Sequence, residues 1–350
     1  MSHNITILDR NIGPCFPPYV IAEISANHNG RLDSALRLIE EAKIAGADAV
    51  KIQTYRPDTI TLNSQKPDFQ ITDGLWAGRS LYQLYEWAHT PWSWHPILFE
   101  HARKIGITIF SSPFDTSAVD LLEELGAPAY KIASFEVVDL PLIRYVAKTG
   151  KPIIISTGMS DASEIQDAIT AAREVGCKEL AILRCVSGYP APASDYNLHT
   201  ITDMRQRFGL VTGLSDHTPD NTVAIASVAL GASIIEKHFT LNRAGGGPDD
   251  SFSLEHEELR DLCLKTRTAW EAMGSVNYTR KSSETSNVKF RRSLYLVKPM
   301  KAGEIIPQYA IRSVRPGFGL APKHFEGVVG RVLKTDVDFG MPVSWDVIQP

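Results

Sequence analysis

Two histidines, His217 and His238, stand 21 residues apart. Each ends a short apolar run, Gly213-Leu-Ser-Asp-His217 and Ile234-Ile-Glu-Lys-His238, with an apolar helical stretch between them. That is the spacing of one β-α-β unit. On neighbouring parallel strands, roughly 5 Å apart, both imidazoles emerge at one sheet edge and could share a metal ion. Asp249 follows in a Gly-rich loop, Gly245-Gly-Gly-Pro-Asp249, at the same edge. Glu23 closes another apolar run, Tyr19-Val-Ile-Ala-Glu23. One strand-end histidine would read as a satisfied core residue. Two of them with two carboxylates nearby point to a metal. Neutral imidazoles suit Mn, Zn, Fe or Co, and Mg less well. Ser215-Asp-His217-Thr218-Pro219 also reads as a helix start, with Thr218 as N-cap and Pro219 as first helical residue.

Other strand ends carry polar groups: Lys51 and Gln53, Ser112, Lys131 and Ser134, Ser156 and Thr157, and Ser215. A lone strand lysine usually snorkels to the edge. Two lysines among these serines make a cationic, hydroxyl-lined pocket, suited to a phosphate and a carboxylate. With a metal beside it, the pocket suits a substrate whose carbonyl the metal polarises. Two alternatives stay open. A lysine could form a Schiff base, as in an aldolase, or the site could bind its ligand without turning it over.

Eight strand-like runs can hold these groups: 19–24, 49–53, 107–110, 129–134, 152–156, 180–185, 210–214 and 233–238. Helical periodicity covers 32–45, 93–105, 116–125, 139–148, 161–175, 198–208, 219–230 and 255–273. Continuous apolar strands imply a sheet buried on both faces, and eight repeats imply a (β/α)8 TIM barrel over residues 1–274. No Gly-x-Gly-x-x-Gly follows the first strand, which weighs against a doubly wound dinucleotide fold. Residues 55–91 interrupt the rhythm with polar and aromatic residues, as a lid or as a decoration. A polar linker over 275–289 leads to a small domain of short strands and turns over 290–350.

A formal net charge of −4 argues against nucleic acid as partner. No apolar run reaches the roughly 18 residues of a membrane span, and no secretory signal pattern opens the chain. Cys15, Cys177, Cys185 and Cys263 show no metal-type spacing and read as free buried thiols of a cytoplasmic protein.

The motifs Ala22-Glu23-Ile-Ser-Ala-Asn-His28-Asn-Gly30, Lys51-Ile-Gln53-Thr, Lys131-Ile-Ala-Ser134, Ser156-Thr-Gly-Met, Gly213-Leu-Ser-Asp-His-Thr and Glu236-Lys-His238 together resemble the sialic acid synthases. These condense phosphoenolpyruvate with an amino-sugar aldehyde. The segments from Gly74 to Tyr85, Thr90 to His95, Asp250 to Glu255 and Ser313 to Leu320 resemble the pseudaminate-forming branch, and move the 55–91 insertion toward substrate recognition. Ser112 and Ser187 depart from the neuraminate pattern, and Ser187 marks a different sugar. The resemblance implies that Lys51, Ser112, Lys131, Ser134, Ser156 and Ser215 hold phosphoenolpyruvate. It implies that His217 and His238 bind a divalent metal, manganese first and magnesium or cobalt as alternatives. Glu23 and Asp249 would orient or deprotonate water at the metal, and Gln53 and Tyr189 would contact the sugar. The tail resembles an antifreeze-like (SAF) domain. Its Arg315 would reach the partner's barrel in a domain-swapped homodimer. No role follows for His256.

Overall fold

A computed structural model describes residues 4–350, which divide into two compact units at Gly274. The first begins with a hairpin of β1 (Ile5–Ile7) and β2 (Arg10–Ile12). β3 (Tyr19–Glu23), α1 (Leu32–Ala45) and β4 (Ala49–Thr54) make the first β-α-β unit. The insertion holds α2 (Pro57–Ile60) and α3 (Leu81–Ala88). Alternation resumes with α4 (His95–Ile105), β5 (Thr108–Pro113), α5 (Thr116–Glu124) and β6 (Tyr130–Ile132). Next come α6 (Leu140–Ala147), β7 (Ile153–Ser156), α7 (Ala162–Glu174) and β8 (Leu180–Cys185). The series ends with α8 (His199–Phe208), β9 (Val211–Asp216), α9 (Thr222–Ala229), β10 (Ile234–His238) and α10 (His256–Met273). Strands β3 to β10 form a closed parallel barrel in chain order, with β10 pairing onto β3. The expected (β/α)8 barrel is the fold.

Strand alternation creates two apolar layers. Val20, Ala22, Val50, Ile52, Ile153 and Ile155 face outward onto helices. Tyr19, Ile21, Ala49, Phe110, Ile154, Leu183 and Ile234 fill the interior, where Ile5, Ile7 and Ile12 of the hairpin join them. The hairpin therefore stops the end of the barrel where the strands begin, and Thr6 N–H ties it to Glu179 at 2.8 Å. Interior packing leaves no room at Gly213. A Cβ there would strike the Ile234 carbonyl oxygen and come 2.7 Å from Leu183 Cδ2.

The helices obey local rules. Asp161 accepts from Ser163 and Glu164 N–H, and Glu164 returns a bond to Asp161 N–H, a capping box that starts α7. Helix α1 presents Ala35, Leu38, Ile39 and Ala42 inward and stops at Gly46, whose φ of 97° is left-handed. One expectation fails: α9 starts at Thr222 rather than Pro219. The buried Lys237 ammonium donates to the carbonyls of Thr218 and Asp220 at 2.7 and 2.8 Å. Those carbonyls are held in a loop, and Thr218 Oγ1 donates to Asp216 Oδ2 rather than capping a helix. A second correction concerns the thiols, since Cys15 is exposed.

In the second unit β11 (Ser293–Leu296) pairs antiparallel with β12 (Ile311–Val314), followed by α11 (Phe325–Val328). Leu294, Leu296, Ile306, Ile311, Leu333 and Val343 form its own core. Residues 275–289 are mostly exposed.

Two buried histidines make the barrel acid-sensitive. His95 Nε2 meets Thr54 Oγ1 at 2.9 Å, and Gly30 N–H donates to His28 Nδ1 at 3.1 Å. Burial lowers both pKa values from 6.5 to about 4. Between those values the unfolded chain takes up protons that the folded chain refuses. Stability present above pH 6.5 is therefore lost as pH falls toward 4, by on the order of 3 kcal/mol per histidine. Denaturant unfolding at pH 7 and pH 4.5 should show the loss, and His95→Gln should reduce it. Parallel pH curves for the two proteins would count against this origin.

Candidate active site

The inward phase of the strands brings one set of side chains to the C-terminal mouth, where barrels of this kind carry their chemistry. Glu23, Lys51, Ser112, Lys131, Ser156, Ser215 and His217 are all buried there. The two histidine strands are parallel neighbours, and Glu23 is the register partner of His238 on the other side. The rings of His217 and His238 lie 5.4 Å apart, centroid to centroid.

The expected cationic pocket is instead a charge-balanced network. Lys51 is ion-paired with Glu23, and its Nζ lies 3.7 Å from Glu236 Oε1. The same oxygen is 3.4 Å from Lys131 Nζ and accepts from Ser215 Oγ at 3.4 Å. Burial lowers Lys51 to about 8 despite Glu236. Burial disfavours the Glu236 carboxylate, yet Lys131 and Lys51 outweigh it and hold its pKa below the ordinary value. Lys51 also donates to Ser112 Oγ at 3.3 Å. Ser134 Oγ accepts from Gly158 N–H at 3.1 Å, while Ser156 Oγ is buried without a partner and is available to a ligand. A Cβ on Gly158 would sit 2.8 Å from Ser134 Oγ and fill this cradle.

His217 Nδ1 lies 2.8 Å from the Val186 carbonyl. A carbonyl only accepts, so Nδ1 carries a proton. Burial disfavours the imidazolium, but Cys185 outweighs it and raises the His217 pKa, so a metal bound at Nε2 would displace a proton there. His238 Nδ1 is buried without a partner. Burial, then the charges of His217, Lys51 and Lys131, push His238 well below its ordinary pKa and keep it neutral. This donor set fits a metal. Asp249 Oδ2 stands 3.8 Å from His238 Nδ1, beyond hydrogen-bond distance of that nitrogen. Among the described residues no three His, Cys, Asp or Glu side chains group closely enough to hold an ion. Water or substrate oxygens would complete the shell.

Asp249 is built in by its loop. Gly247 N–H and Asn29 Nδ2 donate to Asp250 Oδ2 at 2.7 and 3.0 Å, pinning the turn. Ser25, left-handed at φ 36°, donates from Oγ to Asp249 Oδ2 at 2.6 Å and accepts from Gln53 Nε2 at 3.0 Å. Glu23 Oε1 accepts the Ser25 N–H at 2.8 Å. Glu23, Gln53 and Asp249 thus share one strained residue. Tyr189 stacks 4.5 Å from His217. The 55–91 insertion reaches this side, with the Trp76 ring 5.8 Å from Tyr189. Arg315 lies in the second unit, directly after β12. His256 pairs with Glu41 at 2.7 Å.

Sequence reasoning passed over Glu236, Cys185 and Glu136. The first two lie in inward phase, two residues before His238 and after Leu183, so period-two counting from the chosen residues would have found them. Burial disfavours the Cys185 thiolate, but His217 outweighs it and brings the pKa down to about 7. Glu136 follows Ser134 in a short turn, with Oε2 buried and unpartnered. Burial raises its pKa to about 7, so it can carry a proton at neutral pH.

Glu236 is the shared partner of both lysines. Glu236→Gln should destabilise the barrel by ~3–5 kcal/mol, the usual cost of breaking a buried pair. Inorganic phosphate should recover more stability in the variant than in the parent. Denaturant titration with and without phosphate checks both, and an unchanged midpoint would show the lysines are neutralised elsewhere.

The NeuB family model matches residues 38–278, and the SAF domain model matches residues 291–349. A pseudaminic acid synthase of Campylobacter jejuni is 43% identical over 322 residues, covering 92% of this chain and 94% of the relative. The pseudaminic acid synthase of Helicobacter pylori is 42% identical, covering 95% and 98%. Among solved structures, the N-acetylneuraminic acid synthetase of Leptospira borgpetersenii in complex with citrate superposes with a TM-score of 0.74. It is 31% identical and covers 82% of this chain and 96% of that one. A barrel mouth with two lysines, a serine-lined cradle and paired histidines, matched over nearly its whole length, makes this chain a member of the NeuB (sialic acid synthase) family.

Proposed function

We infer that this chain condenses phosphoenolpyruvate with 2,4-diacetamido-2,4,6-trideoxy-β-L-altropyranose and water, giving pseudaminic acid and phosphate. The observation that carries the reading is the 43% identity to a pseudaminic acid synthase over 92% of the chain. The geometry supports it. Phosphoenolpyruvate lies against Lys51, Lys131, Ser112, Ser134, Ser156 and Ser215, where Ser156 Oγ has no partner within the protein. The open-chain sugar lies outside it, against Gln53 and Tyr189.

A divalent metal, manganese foremost, on His217 and His238 would polarise the sugar aldehyde. Lys51 and Lys131 hold the anionic groups so that C3 of the enol faces the aldehyde carbon. A carbon–carbon bond forms and the aldehyde oxygen takes a proton. Glu23 or Asp249 then removes a proton from the water that adds to C2. Phosphate departs with the electrons of the C2–O bond, and the new C2 hydroxyl gives up its proton to the leaving phosphate as it becomes the ketone. Burial raises the Asp249 pKa, which suits a group that must accept and return a proton.

The reading also places the chain in the cytoplasm, in keeping with its free thiols. It makes the protein a homodimer in which Arg315 completes the sugar site of the partner's barrel.

Incubation with phosphoenolpyruvate and the altro-configured sugar should release phosphate and yield the nine-carbon acid, identified by mass and NMR. Turnover confined to N-acetylmannosamine or the gluco-derived diacetamido sugar would sink the branch assignment. Borohydride trapping of pyruvate with insensitivity to chelator would favour the Schiff-base reading. His217→Ala and His238→Ala should each lose metal stoichiometry, measured on the reconstituted protein, together with activity. Arg315→Ala should raise the KM for sugar while leaving the melting temperature in place; unchanged kinetics would refute the swapped arrangement.

A further inference from the structure

Midway along the insertion, before α3, is a tight loop whose tip is Trp76. Ile71 N–H donates to the Arg79 carbonyl, and Gly78 N–H to the Ile71 carbonyl, both at 2.9 Å. Gly74 and Gly78 flank the tip in left-handed conformations, at φ 79° and 89°, which side chains disfavour. The loop thus delivers one large ring to a fixed place. That ring begins a continuous aromatic surface. Tyr189 lies 5.8 Å from Trp76 and 4.5 Å from His217, and Phe252 lies 5.4 Å from Tyr189 and 5.0 Å from His238. Phe252 is only 4% exposed and backs the surface from behind. Trp76 is partly exposed.

The polar atom of Trp76 is already engaged. Its Nε1–H donates to the Pro248 carbonyl at 3.0 Å, next to Asp249. An indole has no other donor and no acceptor. What it offers a ligand is an oriented apolar face, suited to methyl and C–H groups and without a partner for a hydroxyl. A 2,4-diacetamido-6-deoxy sugar carries methyl groups on both acetamides and at C6.

We propose that Trp76 is the specificity-determining residue of the sugar subsite, its ring forming the outer wall beside Tyr189 that receives a methyl-bearing substituent of the sugar. The proposal rests on the pseudaminate reading above. The methyl belongs either to an acetamido group or to C6.

Steady-state kinetics of the full-length protein test it, using the diacetamido sugar, its diformamido analogue and its 6-hydroxy analogue. The parent enzyme should prefer the diacetamido sugar over one analogue by roughly tenfold or more in kcat/KM, the usual effect of one methyl in an apolar pocket. The analogue that suffers identifies the methyl. Trp76→Ala should bring that ratio near one without moving the KM for phosphoenolpyruvate. Trp76→Phe, which keeps an apolar face but loses the N–H, should retain most of the preference and stays informative should the alanine variant unfold. Indifference of the parent enzyme to both analogues would overturn the proposal. So would a preference undiminished in Trp76→Ala. Equal impairment of Trp76→Phe and Trp76→Ala on every sugar would also overturn it, assigning the effect to the Pro248 tether. A parent enzyme that makes no nine-carbon acid from the diacetamido sugar would fail the functional reading itself, and the wall with it.

Discussion

Four ionisable side chains share the mouth of the barrel, and each has an opposite partner among the others. An isolated buried ion costs several kcal/mol even after relaxation. Glu23, Lys51, Glu236 and Lys131 offset that cost in a chain in which each carboxylate faces an ammonium. The quartet is neutral in sum. A mouth balanced in this way is not a cationic cage, and an anion bound there brings its negative charge with protons or with a cation. The strands beneath are bound by the same logic. Lys237 and Asp216, register partners on the outward phase of β10 and β9, pair at 2.9 Å one residue away from His238 and His217. This ion pair on the outer phase and the Ser215–Glu236 hydrogen bond on the inner phase tie the two histidine strands in one alignment.

Much of this was legible in the chain. Alternation of helix and strand periods gave the barrel because each element must bury one face, and that requirement is written locally. Most of the polar residues chosen at strand ends, from Glu23 to His238, fall in inward phase because a strand has period two, whereas Ser134 sits in a turn beyond β6 and Thr157 follows β7 out of phase with Ser156. What the sequence hid was identity of partner. Glu236 looked like one more residue of a motif, and its tie to Lys131 spans 105 positions. Cys185 sat in an apolar run and looked like packing. The hairpin of Ile5–Ile7 and Arg10–Ile12 was too short for periodicity to register. Thr218-Pro219 obeyed a sound local rule, yet a buried lysine from the next strand claimed the carbonyls that the helix needed.

The insertion shows the same division. Its composition left lid and decoration equally open, since neither reading depends on local periodicity. Two contacts of one residue show where its tip lies, because Trp76 lies against Tyr189 and bonds the carbonyl beside Asp249. Residues separated by 172 positions meet there, and no window on the sequence spans that distance.

The N-terminal hairpin has a kinetic meaning beyond packing. With Ile5, Ile7 and Ile12 sealing the far end, the barrel is a sack with one opening. Whatever sits deepest must enter first and can leave only after what lies above it has gone. If the phosphate cradle is the floor and the aromatic surface the doorway, an early sugar obstructs its own reaction partner. Turnover then follows a queue set by depth, and the packed barrel interior, with the hairpin behind it, imposes it.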